Sequence, residues 1–199
     1  MKVDRLTLLM WSVFLMLSCS TTPQSTNLLE APPDDAQIIQ MYVMSMIPIR
    51  EQQLFIDTCR QLSLRPSLAA ALGWHESELK AYIVGRTKNA NGTIDRGTFQ
   101  LNSGEMGRFQ REFWNGKPFD PFDGKENMLT GLSYLRDRID LAKGDVLMGL
   151  RLYNAGPSAL LKKSYAGLDY ALTVLADEQE IIDAARLSWY ESSTSKASL

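Results

Sequence analysis

The chain has 199 residues, room for one domain of ordinary size with appendages and too few for two large ones. It is 45% hydrophobic and 22% charged with only 13 Gly and 8 Pro, which excludes wholesale disorder. The 21 Lys and Arg balance 23 Asp and Glu and cluster no further than pairs such as Lys162-Lys163, so the electrostatic footprint of a nucleic-acid binder is missing. One histidine, His75, and two cysteines, Cys19 and Cys59, exclude a multi-histidine metal site, a four-thiolate zinc site and a disulfide framework. No metal or other cofactor is expected.

Residues 1–18 have the layout of an export signal: Lys2 and Arg5 precede an apolar run from Leu6 to Leu17 that stops at Ser18-Cys19. Twelve residues span roughly 18 Å as a helix, short of a bilayer core. The segment Leu15-Met16-Leu17-Ser18-Cys19 resembles the bacterial lipoprotein lipobox, in which the cysteine is acylated and becomes the mature N-terminus. That resemblance implies a lipid anchor on Cys19, a polar tether over 19–33, and a place in the cell envelope facing the periplasm. Ser20, where an Asp commonly retains lipoproteins at the inner membrane, favours the outer one. An ordinary signal peptide that happens to contain a cysteine is the competing reading.

From Asp34 onward apolar residues recur every three or four positions, which predicts an all-α domain. Helices are expected over Ala36–Met46, ended by Pro48, over Glu51–Leu62, and over Ser67–Ala81 behind Pro66. Between Val84 and Leu101 the helical period lapses, and Asn91-Gly92 predicts one small β-hairpin. Helices resume over Gly104–Trp114, Lys125–Lys143, Asp145–Tyr153, Pro157–Ser164 and Tyr170–Tyr190, with a frayed tail over 191–199. The expected organisation is N-terminal helices over 34–63, a core over 64–167 and a C-terminal helix over 168–190, the two outer pieces bracing the middle one.

On a helix through Leu68–Lys80, residues Leu68, Leu72, His75 and Leu79 form one core-facing stripe, and Glu76 falls about 60° from its centre. A carboxyl group at that border is partly desolvated, which raises its pKa and suits it to general acid work. An ordinary boundary glutamate is the alternative for this helix taken alone. His75 and Ser77 lie about 200° apart and cannot form a hydrolase pair. His75 reads as core-facing and Cys59 as a buried small hydrophobe. Thr87 and Thr98 put no carboxylate at the first and last places of a calcium-loop pattern, so a hairpin is the better account of that run.

Three motifs in order then carry a resemblance: Trp74-His75-Glu76-Ser77; Asn89-Ala90-Asn91-Gly92-Thr93-Ile94-Asp95-Arg96-Gly97-Thr98-Phe99-Gln100-Leu101-Asn102; and Leu152-Tyr153-Asn154-Ala155-Gly156-Pro157. From about Leu64 to Tyr165 the chain resembles the soluble-lytic-transglycosylase family of lysozyme-like proteins, and the asparagine-rich second motif is similar to its small, secretion-associated members. Thr98, Phe99 and Leu152 stand where Leu, Met and Ala are usual, and are expected to touch the lining of the sugar groove. The resemblance implies that Glu76 is the single catalytic acid/base, that Ser77, Gln100 and Tyr153 contact the glycan, and that Asn154 orders the wall. It further implies cleavage of peptidoglycan strands between N-acetylmuramic acid and N-acetylglucosamine. The sugar's own acetamido group would supply the second function that most glycosidases take from a second carboxylate. A 1,6-anhydro-muramic end would be left. Two alternatives stay open: a lysozyme-type hydrolase drawing its second carboxylate from Glu78, Asp95, Glu105 or Asp123, and a non-catalytic peptidoglycan-binding lipoprotein.

Overall fold

The computed structural model describes residues 33–85, 88–156, 160 and 165–197. The leader, Cys19, the tether up to residue 32 and all but one residue of the helix expected over Pro157–Ser164 lie outside the described residues.

Three of the described α-helices start on a side chain that caps orphan N–H groups of the first turn, and a fourth starts on proline. Helix α1 (Asp35–Met46) opens on a capping box: Asp34 accepts from the Gln37 amide at 2.8 Å, and the Gln37 side chain accepts from the Asp34 amide at 2.9 Å. After α2 (Gln52–Gln61), α3 (Pro66–Ser77) begins with proline in its first turn, where the missing N–H costs nothing. Asp123 caps α5 (Gly124–Leu141) and Asp145 caps α6 (Val146–Ala155). Helix α4 (Met106–Phe113) follows a 3₁₀ turn over Ser103–Glu105, and α7 (Leu168–Ala197) closes the bundle. Among the described residues the fold is all-α with one small antiparallel hairpin, and no helix is long and apolar enough to cross a membrane.

The two ends of the described chain share one core with the middle. Val43 of α1, Phe55 and Cys59 of α2, Leu72 of α3, Leu132 and Leu135 of α5, and Val174 and Ile181 of α7 all belong to it. Burial pushes the Cys59 thiol up to about 12, so it sits there as a small apolar group. Helix α7 packs on α1, α3 and α6. It is bolted to α3 by Glu178, which takes both arms of the Arg65 guanidinium at 2.8 Å and the Ser67 hydroxyl at 2.7 Å, and to α1 by the Arg186–Asp35 pair. The helix runs past Tyr190, its expected end, to Ala197. Its polar end is satisfied as helix: Ser192, Ser193 and Thr194 donate their hydroxyls to carbonyls three and four residues back.

Two further corrections bear on the site. Helix α3 stops at Ser77 rather than Ala81, because Glu78 and Leu79 turn left-handed at φ 54° and 61°. Their amides close the last turn on the carbonyls of Trp74 and Gly73, and the Ser77 hydroxyl accepts from the Lys80 amide at 3.1 Å. The hairpin is also arranged differently. Strands β1 (Asp95–Arg96) and β2 (Leu101–Asn102) are joined through residues 97–100, while Asn91-Gly92 turns the longer loop between Val84 and Arg96, which form a single bridge.

Candidate active site

The sharp turn between β1 and β2 is held from behind. Gly97 sits at φ 74°, and a Cβ there would come within 2.2 Å of the Asn127 side chain. Asn127, fully buried on α5, donates to the Arg96 and Pro121 carbonyls and accepts from the Phe99 amide at 2.8 Å. The Phe99 ring then fills space that only glycine leaves open, since a Cβ on Gly131 would stand 2.4 Å from the Phe99 Cβ. Thr98 and Phe99 are therefore buried behind the loop, where they touch the lining of the cleft in front, as the Phe99 carbonyl does through Tyr153, without being part of it. They line a smaller cavity of about 240 Å³ on the other side. Leu152 is likewise fully buried.

In front of this turn lies a cleft of about 800 Å³. It brings together Glu76, Gln100, Tyr153 and Asn154 from three separate stretches of chain. One wall is built by helices. Glu76, in the last turn of α3, takes a hydrogen bond on Oε1 from the Tyr170 hydroxyl of α7. Tyr153 of α6 is buried beside it, its hydroxyl donated to the Phe99 carbonyl at 2.8 Å. Burial in this aromatic surround pushes the Glu76 carboxyl from its usual 4.5 up to about 7; the Tyr170 bond opposes the shift and the nearby Asp95 charge adds to it. Both tyrosines are held well above their ordinary value, chiefly by the same burial and next by the Glu76 charge, so they remain O–H donors.

The opposite wall is a loop of amides. Asp95 accepts from the Asn102 side chain at 2.8 Å and from the Asn89 side chain at 3.2 Å. Asn102 also donates to the Thr93 hydroxyl and accepts from the Gly104 amide, and Asn91 accepts from the Thr93 amide and hydroxyl. The asparagine-rich motif thus knits its own loop. Beyond it, Arg108 on α4 is engaged by Glu105, Glu112 and Asp137 and lies over the Tyr134 ring at 5.2 Å.

The other expected site residues separate. Ser77 is buried and off the cleft; its hydroxyl donates to the Thr98 carbonyl at 2.8 Å, so it ties the end of α3 to the turn rather than touching a sugar. Gln100 lines the cleft at φ 43°, yet its amide nitrogen is donated to the Gly97 carbonyl at 2.8 Å, which makes it a brace for the loop. Asn154 is exposed at the cleft edge. Of the four carboxylates open to a hydrolase reading, Asp95 and Glu105 line the cleft; Glu78 pairs with Lys80 outside it and Asp123 caps α5. His75 is half-buried against α7 rather than in the core. Tyr170 and the bracing Asn127 had no signal in the sequence, since their partners lie 94 and about 30 residues away.

Residues 53–167 match the family described as Transglycosylase SLT domain. The chain belongs to that family. The match covers more than half of the chain and ends three residues short of Tyr170. Among solved structures, an inactive mutant of the lytic transglycosylase Slt from Pseudomonas aeruginosa is similar at 17% identity and a TM-score of 0.48, over 74% of this chain and 25% of that one. The 70 kDa soluble lytic transglycosylase of Escherichia coli is similar at 18% identity and a TM-score of 0.49, over 72% of this chain and 23% of that one. The chain thus spans about a quarter of the length of those two proteins. No curated protein matches it.

Proposed function

We propose that this protein is a peptidoglycan lytic transglycosylase in which Glu76 alone serves as acid and then base. The observation that carries the reading is a glutamate whose carboxyl is pushed up to about 7 at an open cleft, fixed on one oxygen by a tyrosine hydroxyl. With Tyr170 donating to Oε1, Oε2 is left to carry the proton. Glu76 gives that proton to the glycosidic oxygen linking N-acetylmuramic acid to N-acetylglucosamine as the bond breaks, while the muramic acetamido group covers the developing cation. Glu76, now a carboxylate stabilised by the tyrosine, takes the proton of the C6 hydroxyl as that oxygen closes on C1. The nucleophile is already tethered, so no carboxylate is needed to aim a water. The products are a 1,6-anhydro-muramic end and a free N-acetylglucosamine end. Tyr153 and Asn154 shape the cleft beside the acid, Gln100 and Ser77 hold its loop in place, and the chain supplies these steps without a cofactor.

The leader and Cys19 extend the proposal to a lipoprotein anchored in the envelope, facing the periplasm from the outer membrane, where an insoluble polymer is within reach. Asp95 opposite Glu76 is what a hydrolase reading would use. Mass spectrometry of digested glycan separates the two: muramic ends lighter by one water and resistant to borohydride reduction are expected, and full-mass reducible ends would overturn the proposal in favour of a hydrolase.

A further inference from the structure

His75 and Glu76 are neighbours on the last turn of α3, about 100° apart on the helix, and both reach α7. Glu76 meets Tyr170 and His75 meets Asp177, its Nδ1 3.1 Å from Oδ2. Tyr170 and Asp177 are seven residues apart, so they share one stripe of α7 with an axial rise of about 10 Å. The imidazole spans that interval: its other contact is with the Tyr170 ring, edge to face, centroids 5.0 Å apart and planes at 86°. Tyr170 is thereby gripped twice, at its hydroxyl by Glu76 and at its ring by His75, while His75 is itself held by Asp177.

We infer that His75, anchored by Asp177, is a positioning residue that sets Tyr170 on the Glu76 carboxyl. The inference rests on Glu76 being the working acid but concerns how that acid is held. A tyrosine hydroxyl has one torsion of its own and a ring that pivots about two more. Without a wall on the ring, the O–H can leave Oε1, and the carboxylate loses a hydrogen bond that favours its charged form. With the wall in place the bond is made before substrate arrives, which is the preorganisation an acid that must also act as a base requires. His75 is half-exposed and off the cleft, so it does not touch the reacting atoms itself.

The test is a double-mutant cycle read on Glu76 itself. Carboxyl ¹³C resonances of Glu-labelled protein are titrated by NMR in the wild type and in Tyr170→Phe, His75→Leu and the double variant, with Glu76→Gln assigning the signal. The charged and titratable groups facing the pair are Tyr170 and Asp177 from α7, Asp95 from the hairpin and Tyr153 from α6, and all but the mutated ones are kept. Tyr170→Phe should raise the Glu76 midpoint by about one pH unit. His75→Leu should raise it in the same direction by a smaller step, and should add nothing once Tyr170 is Phe. Asp177→Asn, a change at a half-exposed position that keeps the side-chain size, should reproduce part of the His75→Leu shift. An unmoved midpoint in His75→Leu, or an equal shift in the Tyr170→Phe background, would overturn the inference, because a direct charge effect or a merely structural contact survives loss of the hydroxyl. A protein that titrates as described yet leaves glycan uncut would instead count against the proposed function.

Discussion

The two walls of the cleft treat a carboxylate in opposite ways, Glu76 on one and Asp95 on the other. On the helical wall Glu76 is enclosed by Tyr153 and Tyr170, with one tyrosine hydroxyl as its partner. On the loop wall Asp95 is met by the side-chain amides of Asn89 and Asn102, whose N–H groups can solvate a full negative charge as water would. Desolvation holds Glu76 ready to give up a proton near neutrality, whereas the amide donors tie the Asp95 side chain into its loop. The pair shows how two carboxylates in one cleft are driven apart in role by what surrounds them rather than by what they are.

The joint between the walls is Phe99, whose carbonyl takes the Tyr153 hydroxyl and whose ring presses on Gly131. Gly131→Ala forces a methyl into that contact and should cost about 3 kcal/mol of stability, read by urea unfolding, because neither the α5 backbone nor the Phe99 Cβ can yield. Substituting the acid sharpens the comparison in the opposite direction. A carboxyl whose folded value lies near 7 against an unfolded 4.5 stabilises the fold only while it is protonated: the contribution is full below about 4.5 and is lost as pH rises through 7. Glu76→Gln should therefore be more stable than wild type by about 2 kcal/mol at pH 8 and nearly equal to it at pH 4, in thermal or urea unfolding at the two pH values. The loop wall should respond least. Asn102→Ala removes its bonds to Asp95, Thr93 and Gly104 in a partly solvated place, and about 1 kcal/mol is expected, seen as faster amide exchange confined to residues 89–104.

What could be read from the sequence divides along the same line. The loop wall closes its network within nine residues, so the run from Asn89 to Asn102 announces both itself and its turn, although the strand pairing fell between 95 and 102 rather than around Asn91-Gly92. The helical wall is long-range. Periodicity and the Glu-Ser motif located Glu76 at a core border, but nothing local to Tyr170 pointed to α3, and the last helix was read as a brace. The same blindness misplaced Ser77 and His75: each faces a neighbour that only the packing of α7 or the 97–100 turn supplies. The α3 end was missed because Glu78 and Leu79 adopt a conformation that sequence reserves for glycine.

The most direct test of the account is the rate of glycan cleavage by Glu76→Gln set beside that by Asp95→Asn, both on purified peptidoglycan at the wild-type optimum. If one acid serves both proton transfers, Glu76→Gln loses at least about 100-fold while Asp95→Asn, which keeps the loop's shape, stays within about 10-fold of wild type. Equal and large losses in the two variants would contradict it, and would mark a two-carboxylate mechanism across the cleft.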